Sequence, residues 1–176
     1  MLYIITYSTN NCKSFSKEYP NIIVLPKKKK YSYESKNKIS SVIDFCNSKK
    51  SNDIILYVQP GNFLLFKNYN DIIKRFKSSG KKLIFSKRRS DKSFREKYSQ
   101  DLLFNSCLKM RINIDFYIGT AEEISSLWKD YLNTTNLSEL IYISRLCQFT
   151  DQSKINIDKE NLIFYNYQIL IQGQVR

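Results

Sequence analysis

Apolar residues along the chain come in short blocks of two kinds. Unbroken runs at 2–7 (LYIITY), 21–25 (NIIVL, closed by Pro26) and 53–58 (DIILYV) predict buried strands. So do the blocks at 82–86, 112–118 and 162–165. Between them the spacing turns helical. Ile39, Val42, Ile43 and Cys46 share one face of a helix over about 35–48, and Ile72, Ile73 and Phe76 mark another that Asn70 can cap and Gly80 can stop. Thr120 precedes a third helix, with Glu122 and Glu123 in the first turn, where the helix dipole favours acids. Its core face is Ile124, Leu127, Trp128 and Tyr131. A fourth helix covers about 138–147. The segment 87–101 is polar and basic and reads as a long loop or irregular helix, and the tail 168–176 has no clear period. Strands alternating with helices, with no repeat and no linker, predict one α/β domain over 1–176 with a mainly parallel, mixed sheet flanked by helices.

Composition sharpens that picture. Hydrophobic residues make up 42% of the chain and aromatics 14%, which excludes a disordered chain, while 4 Gly and 3 Pro are too few for a turn-dense β-sandwich. The 176 residues contain no histidine, so Ser-His-Asp and Cys-His catalysis and every histidine-containing metal site are excluded. Cys12, Cys46, Cys107 and Cys147 are widely spaced and form no C-x-x-C, which removes zinc ribbons and thioredoxin-like pairs and leaves buried thiols or two disulfides. No apolar run approaches the ~20 residues that span a bilayer. The first ten residues lack the basic start and long apolar core of a signal peptide. A cytoplasmic protein without a membrane partner is the expectation.

Charge is the other outlier. The 29 Lys+Arg against 16 Asp+Glu leave a net charge of +13. Lys87, Arg88, Arg89, Lys92 and Arg95, interleaved with Phe94 and Tyr98, form a cluster suited to an acidic protein surface or a polyanion, nucleic acid included. The same residues also suit a solvated loop, because Lys, Asn, Ile, Ser and Tyr have AT-rich codons and a large AT-rich DNA virus or protist would give such a composition. The run Lys27 to Lys30 carries the same two readings.

The ordered set of blocks resembles the glycosyltransferase domain of procollagen lysyl hydroxylases and collagen galactosyltransferases. The resemblance is carried by Ile54-Ile55-Leu56-Tyr57-Val58-Gln59-Pro60-Gly61-Asn62, then Arg75-Phe76-Lys77-Ser78-Ser79-Gly80, then Lys82-Leu83-Ile84-Phe85-Ser86. It continues through Ile112-Asn113-Ile114-Asp115-Phe116-Tyr117-Ile118-Gly119-Thr120-Ala121, Asp158 and Ile163-Phe164-Tyr165-Asn166. It implies a GT-A fold and donor-site positions at Thr6, Lys38, Gln59 and Asn62. Members of that family transfer sugar from a nucleotide-sugar with Mn²⁺ bridging the diphosphate to acidic side chains, a role that needs charged oxygen ligands. Here the two family aspartates fall on Gln59 and Asn62, the histidine ligand is missing, and the family's acidic helix start is Leu137-Ser138-Glu139. The expectation is therefore a degenerate member with no metal, no cofactor and no catalytic residue, acting by binding or assembly, with oligomerisation left open. Two alternatives stand beside it: a metal-independent transferase that stabilises the leaving diphosphate with Lys and Arg, and a basic nucleic-acid-binding accessory protein, viral in the AT-rich case. Asp115 reads either as a surviving acceptor-site acid or as a strand residue on the polar face.

Overall fold

The structure, a computed structural model, describes residues 1–7, 21–59, 69–87, 112–134, 137–149, 155–158, 160 and 163–164. In chain order they form β1 (Leu2–Tyr7), β2 (Ile22–Leu25), α1 (Glu34–Asn47), β3 (Ile54–Val58) and α2 (Tyr69–Ser78). There follow β4 (Leu83–Lys87), β5 (Ile112–Thr120), α3 (Ala121–Thr134), α4 (Glu139–Phe149) and β6 (Asn156–Ile157). The six strands make one sheet in the order β2-β1-β3-β5-β4-β6. β2, β1 and β3 are mutually parallel, β6 is parallel to β4, and β5 runs antiparallel between β3 and β4. The predicted mixed α/β architecture is the one observed.

Side chains on each strand alternate between two apolar layers. Ile5, Tyr7, Ile55, Tyr57 and Phe85 face α1, α3 and α4, whose Ile39, Val42, Ile124, Trp128, Tyr131 and Ile143 complete the larger core. Ile4, Ile54, Leu56, Val58 and Ile118 face the other side, where α2 contributes Ile72 and Phe76. With helices on both faces, β3 is buried at all five positions, which is why its sequence is continuously apolar rather than alternating. Trp128 donates its indole N–H to the Tyr117 hydroxyl at 3.2 Å, so the aromatic core leaves neither polar tip unpaired.

Local signals set the element ends. The Thr120 hydroxyl accepts from the Glu123 amide at 3.3 Å and caps α3. Gly80, at φ 64°, ends α2 through its N–H to the Lys77 carbonyl, at 3.2 Å. Gly119 is required for space: a Cβ there would stand 2.9 Å from both Leu83 Cδ1 and the Lys82 carbonyl oxygen.

One expected element is absent where it was predicted. Ile163 and Phe164, the described part of the block 162–165, form no strand. Their amides both donate to Asp158 Oδ2, each at 2.8 Å, so a side-chain carboxylate takes the hydrogen bonds that a ladder would have used. The late strand lies earlier, at Asn156–Ile157. The thiol reading is testable at Cys46 alone among the described side chains. It is free and buried, and desolvation pushes its pKa up to about 12, as an inert core thiol requires.

Two outcomes follow from this packing. Leu56→Ala removes a side chain that is 2% exposed on a central strand and should cost about 2–5 kcal/mol in chemical denaturation. A loss under about half a kilocalorie, the range of surface substitutions, would contradict the placement of β3. The second concerns Asp53, whose carboxylate accepts from the Met1 amino group at 2.7 Å and the Lys50 amide at 3.1 Å. The hydrogen bond from the amino terminus holds its pKa below the usual carboxylate value. A depressed folded-state pKa contributes stability that is complete above the unfolded value of about 3.9 and lost as pH falls through the folded one. Asp53→Asn should therefore lower stability at neutral pH and converge with the parent in acid, read by urea unfolding across pH 2–7. A gap that persists undiminished in acid would contradict it.

Candidate functional site

The sheet's strand order fixes where a ligand cleft can form. From β1 the chain moves to β2 on one side and returns to β3 on the other, so the carboxyl ends of β1 and β3 diverge at a topological switch point. The parallel register pairs Ile5 with Tyr57, which carries Tyr7 and Gln59 to the rim together. A cleft of about 460 Å³ opens there, lined by Tyr7, Lys27, Glu34, Ser35, Lys38, Gln59 and Asp115.

Each wall has a local cause. The connection from β2 to α1 is fastened to the helix by Asn37, whose side chain accepts from the Tyr31 N–H and donates to the Tyr31 carbonyl, both at 2.7 Å. Ser41 adds a bond to the Pro26 carbonyl at 3.0 Å. That clamp holds Lys27 at the rim, where its ammonium pairs with Glu34 at 3.0 Å, raising the Lys27 pKa. The opposite wall depends on an irregularity in β5. Phe85 of β4 pairs with Tyr117, but the next residue, Ser86, pairs with Asn113, so β5 bulges over 114–116. The Asp115 amide turns back to Asn113 Oδ1 at 3.0 Å, and its carbonyl accepts from the Gln59 N–H at 3.0 Å. Asp115 is thereby half-buried on the cleft wall rather than fully exposed on a polar strand face.

The cleft's central charge is already compensated. Lys38 reaches from α1 to Glu139, the first residue of α4, with Nζ 2.7 Å from Oε2 and side-chain exposures of 19% and 6%. Its ammonium also lies 6.0 Å from the Tyr57 ring centroid. Glu139 sits in the first turn of its helix, where a carboxylate is favoured. In the core, Tyr57 stacks on Tyr117 with centroids 4.9 Å apart and planes at 10°, and its hydroxyl donates to Gln59 Oε1 at 2.9 Å. Burial drives the Tyr117 pKa well above the usual phenol value, so it stays neutral.

The structure brings Lys38 and Gln59 together in this cleft. Lys38 is an ion-paired wall residue and not a solvated helix lysine. Thr6 is fully buried and does not line the cleft; alternation turns it, like Ile4, towards the α2 side of the sheet. Its hydroxyl has no hydrogen-bond partner among the described residues. Asn62, Arg88, Arg89, Lys92 and Arg95 lie outside the described residues. Lys87 is half-buried at the end of β4, opposite Ile112. Sequence reasoning gave no role to Tyr7, Glu34 or Ser35. The Lys38–Glu139 partnership, 101 residues apart, had no signal in the sequence.

A divalent metal needs several anionic ligands close together. Among the described residues no group of three His, Cys, Asp or Glu is placed to hold one. No helix among the described residues is long and apolar enough to cross a membrane.

No family model matches the chain, and the search of curated proteins returns no relative. Thirteen chains of solved structures do match. One is the crystal structure of a glycosyltransferase involved in the glycosylation of the major capsid of PBCV-1. It superposes with a TM-score of 0.51 and 8% sequence identity, covering 89% of this chain and 80% of that one. At that identity the likeness speaks to fold alone: the protein has a glycosyltransferase-like α/β fold.

Proposed function

We propose that this protein is a degenerate glycosyltransferase-fold protein, similar in pattern to the collagen-modifying type, that acts by binding rather than by metal-dependent sugar transfer. The observation that carries the reading is Gln59. It stands at the carboxyl end of β3, on the rim of the switch-point cleft, where the resemblance asks for a metal-binding carboxylate. Its side-chain oxygen is already engaged by the Tyr57 hydroxyl. An amide offers a carbonyl dipole but no charge to offset a divalent ion. The cleft's two ammonium groups are likewise committed, Lys27 to Glu34 and Lys38 to Glu139. What remains is a polar recess able to hold a small ligand, within the usual size range of such pockets.

Lys38 supports one second reading, a metal-independent transferase. An ammonium fixed in a cleft can stabilise a departing diphosphate if it exchanges Glu139 for the ligand. Release of UDP from a UDP-sugar that persists in EDTA would favour that reading over the first.

The proposal predicts that Mn²⁺ does not tighten UDP binding. Calorimetry with UDP, with and without Mn²⁺, should give the same affinity or no heat in both; micromolar binding that requires the metal would overturn it. The committed state of Lys38 has a separate consequence. Lys38→Met leaves Glu139 buried without its cation and should cost about 3–5 kcal/mol, whereas Lys38→Met with Glu139→Leu should recover most of that loss. Equal stability of the single variant and the parent in urea unfolding would show that the pair carries no weight.

A further inference from the structure

Some cations of the described residues are ion-paired and others are not, a difference that the sequence does not show. In the run after β2, Lys27 pairs with Glu34 and Lys28 with Asp44. On α2 and the turn that follows it, Lys74, Arg75, Lys77 and Lys81 are all exposed, and none makes an ion pair among the described residues. Asp71 is the acid on that helix, and Glu123 is occupied by Lys82 at 3.4 Å. Lys29, Lys30, Lys50 and Arg145 are also exposed without an ion pair among the described residues, but α2 and its turn gather four such cations within eight residues.

The turn holds this charge in place. Ser79 Oγ donates to the Phe76 carbonyl at 2.6 Å and accepts from the Lys81 amide at 3.2 Å, while Gly80 closes the helix. Lys81 is thus fixed just past Lys77. Lys74 and Lys77 are one helical turn apart, about 4.5 Å along the axis. Ile72 and Phe76 dock α2 on the face of the sheet opposite the Lys38 side of the cleft, so this surface is separate from the cleft.

We propose that the exposed face of α2 and the α2–β4 turn bind the phosphodiester backbone of a nucleic acid, without reading bases. The surface offers point charges on long stems and little else. A stable protein partner would need an apolar centre to its interface, and a membrane would need apolar side chains to insert. The exposed large apolar residue on α2 is Tyr69, 38% exposed, at the opposite end of the helix from Lys77 and Lys81. A polyphosphate needs only the cations, and ammonium groups serve it as sequence-independent contacts.

The test is fluorescence anisotropy of the full chain with a labelled 20-base-pair DNA duplex across a salt series. Four phosphate contacts contribute about 3–4 to the slope of log affinity against log salt, roughly a 100-fold loss between 50 and 200 mM. The variant Lys74→Gln, Arg75→Gln, Lys77→Gln, Lys81→Gln should lose that contribution while keeping its melting temperature within a few degrees. Lys74→Gln alone should lower the slope by about 0.9, which keeps the test valid if the quadruple variant folds poorly. The control replaces Lys27, Lys28, Lys29 and Lys30 with Gln, removing the same charge. Equal losses in both quadruple variants would mean attraction by net charge and overturn the proposal. So would binding of polyglutamate, or of phosphatidylserine vesicles, as tight as that of the duplex.

Discussion

The double-sided burial of β3 is the constraint on which the rest depends. Five consecutive residues with no exposed face demand a helical layer on each side and a strand on each edge. β1 on one edge and β5 on the other supply the edges, α1, α3 and α4 supply one layer, and α2 supplies the other. A continuously apolar strand cannot sit at a solvated edge without exposing part of that surface. Its central position in turn puts Gln59 at the switch point and opens the cleft beside Tyr7.

Polar groups near the cleft are mostly paired within the chain. Asn37 clamps the loop carrying Lys27, Glu139 takes the Lys38 ammonium, and the Tyr57 hydroxyl occupies the Gln59 oxygen. The two lysines that line the cleft, Lys27 and Lys38, each face a carboxylate. Fold likeness alone does not assign an activity to this cleft.

Compensation also explains how a strongly basic chain can have a localised basic surface. Lys38 in the cleft, and Lys27 and Lys28 in the run after β2, have carboxylates within reach. Those on α2 are exposed on a helix whose acid, Asp71, stands three and four residues before Lys74 and Arg75 and makes an ion pair with neither among the described residues. Basic side chains in the last turn of α2 also complement the helix dipole, so their local contribution to α2 stands whether or not a partner is bound.

Much of the fold was legible in the sequence because secondary structure is written in local periods. Apolar runs located β1 to β5, the 3.6-residue spacing located the helices, and Thr120 and Gly80 marked ends within a residue or so. The missing histidine and the amide at Gln59 were equally plain, since composition and residue type need no geometry. Three things required the tertiary structure. The antiparallel insertion of β5 between β3 and β4 depends on which strand edges meet, and an apolar run carries no direction. The strand expected at 162–165 gave way to the Asp158 carboxylate, whose competition with a ladder depends on where the chain turns. Lys38 could read as a solvated lysine until Glu139 was brought to it, because an ion pair between residues 101 positions apart is a property of packing and not of any local pattern.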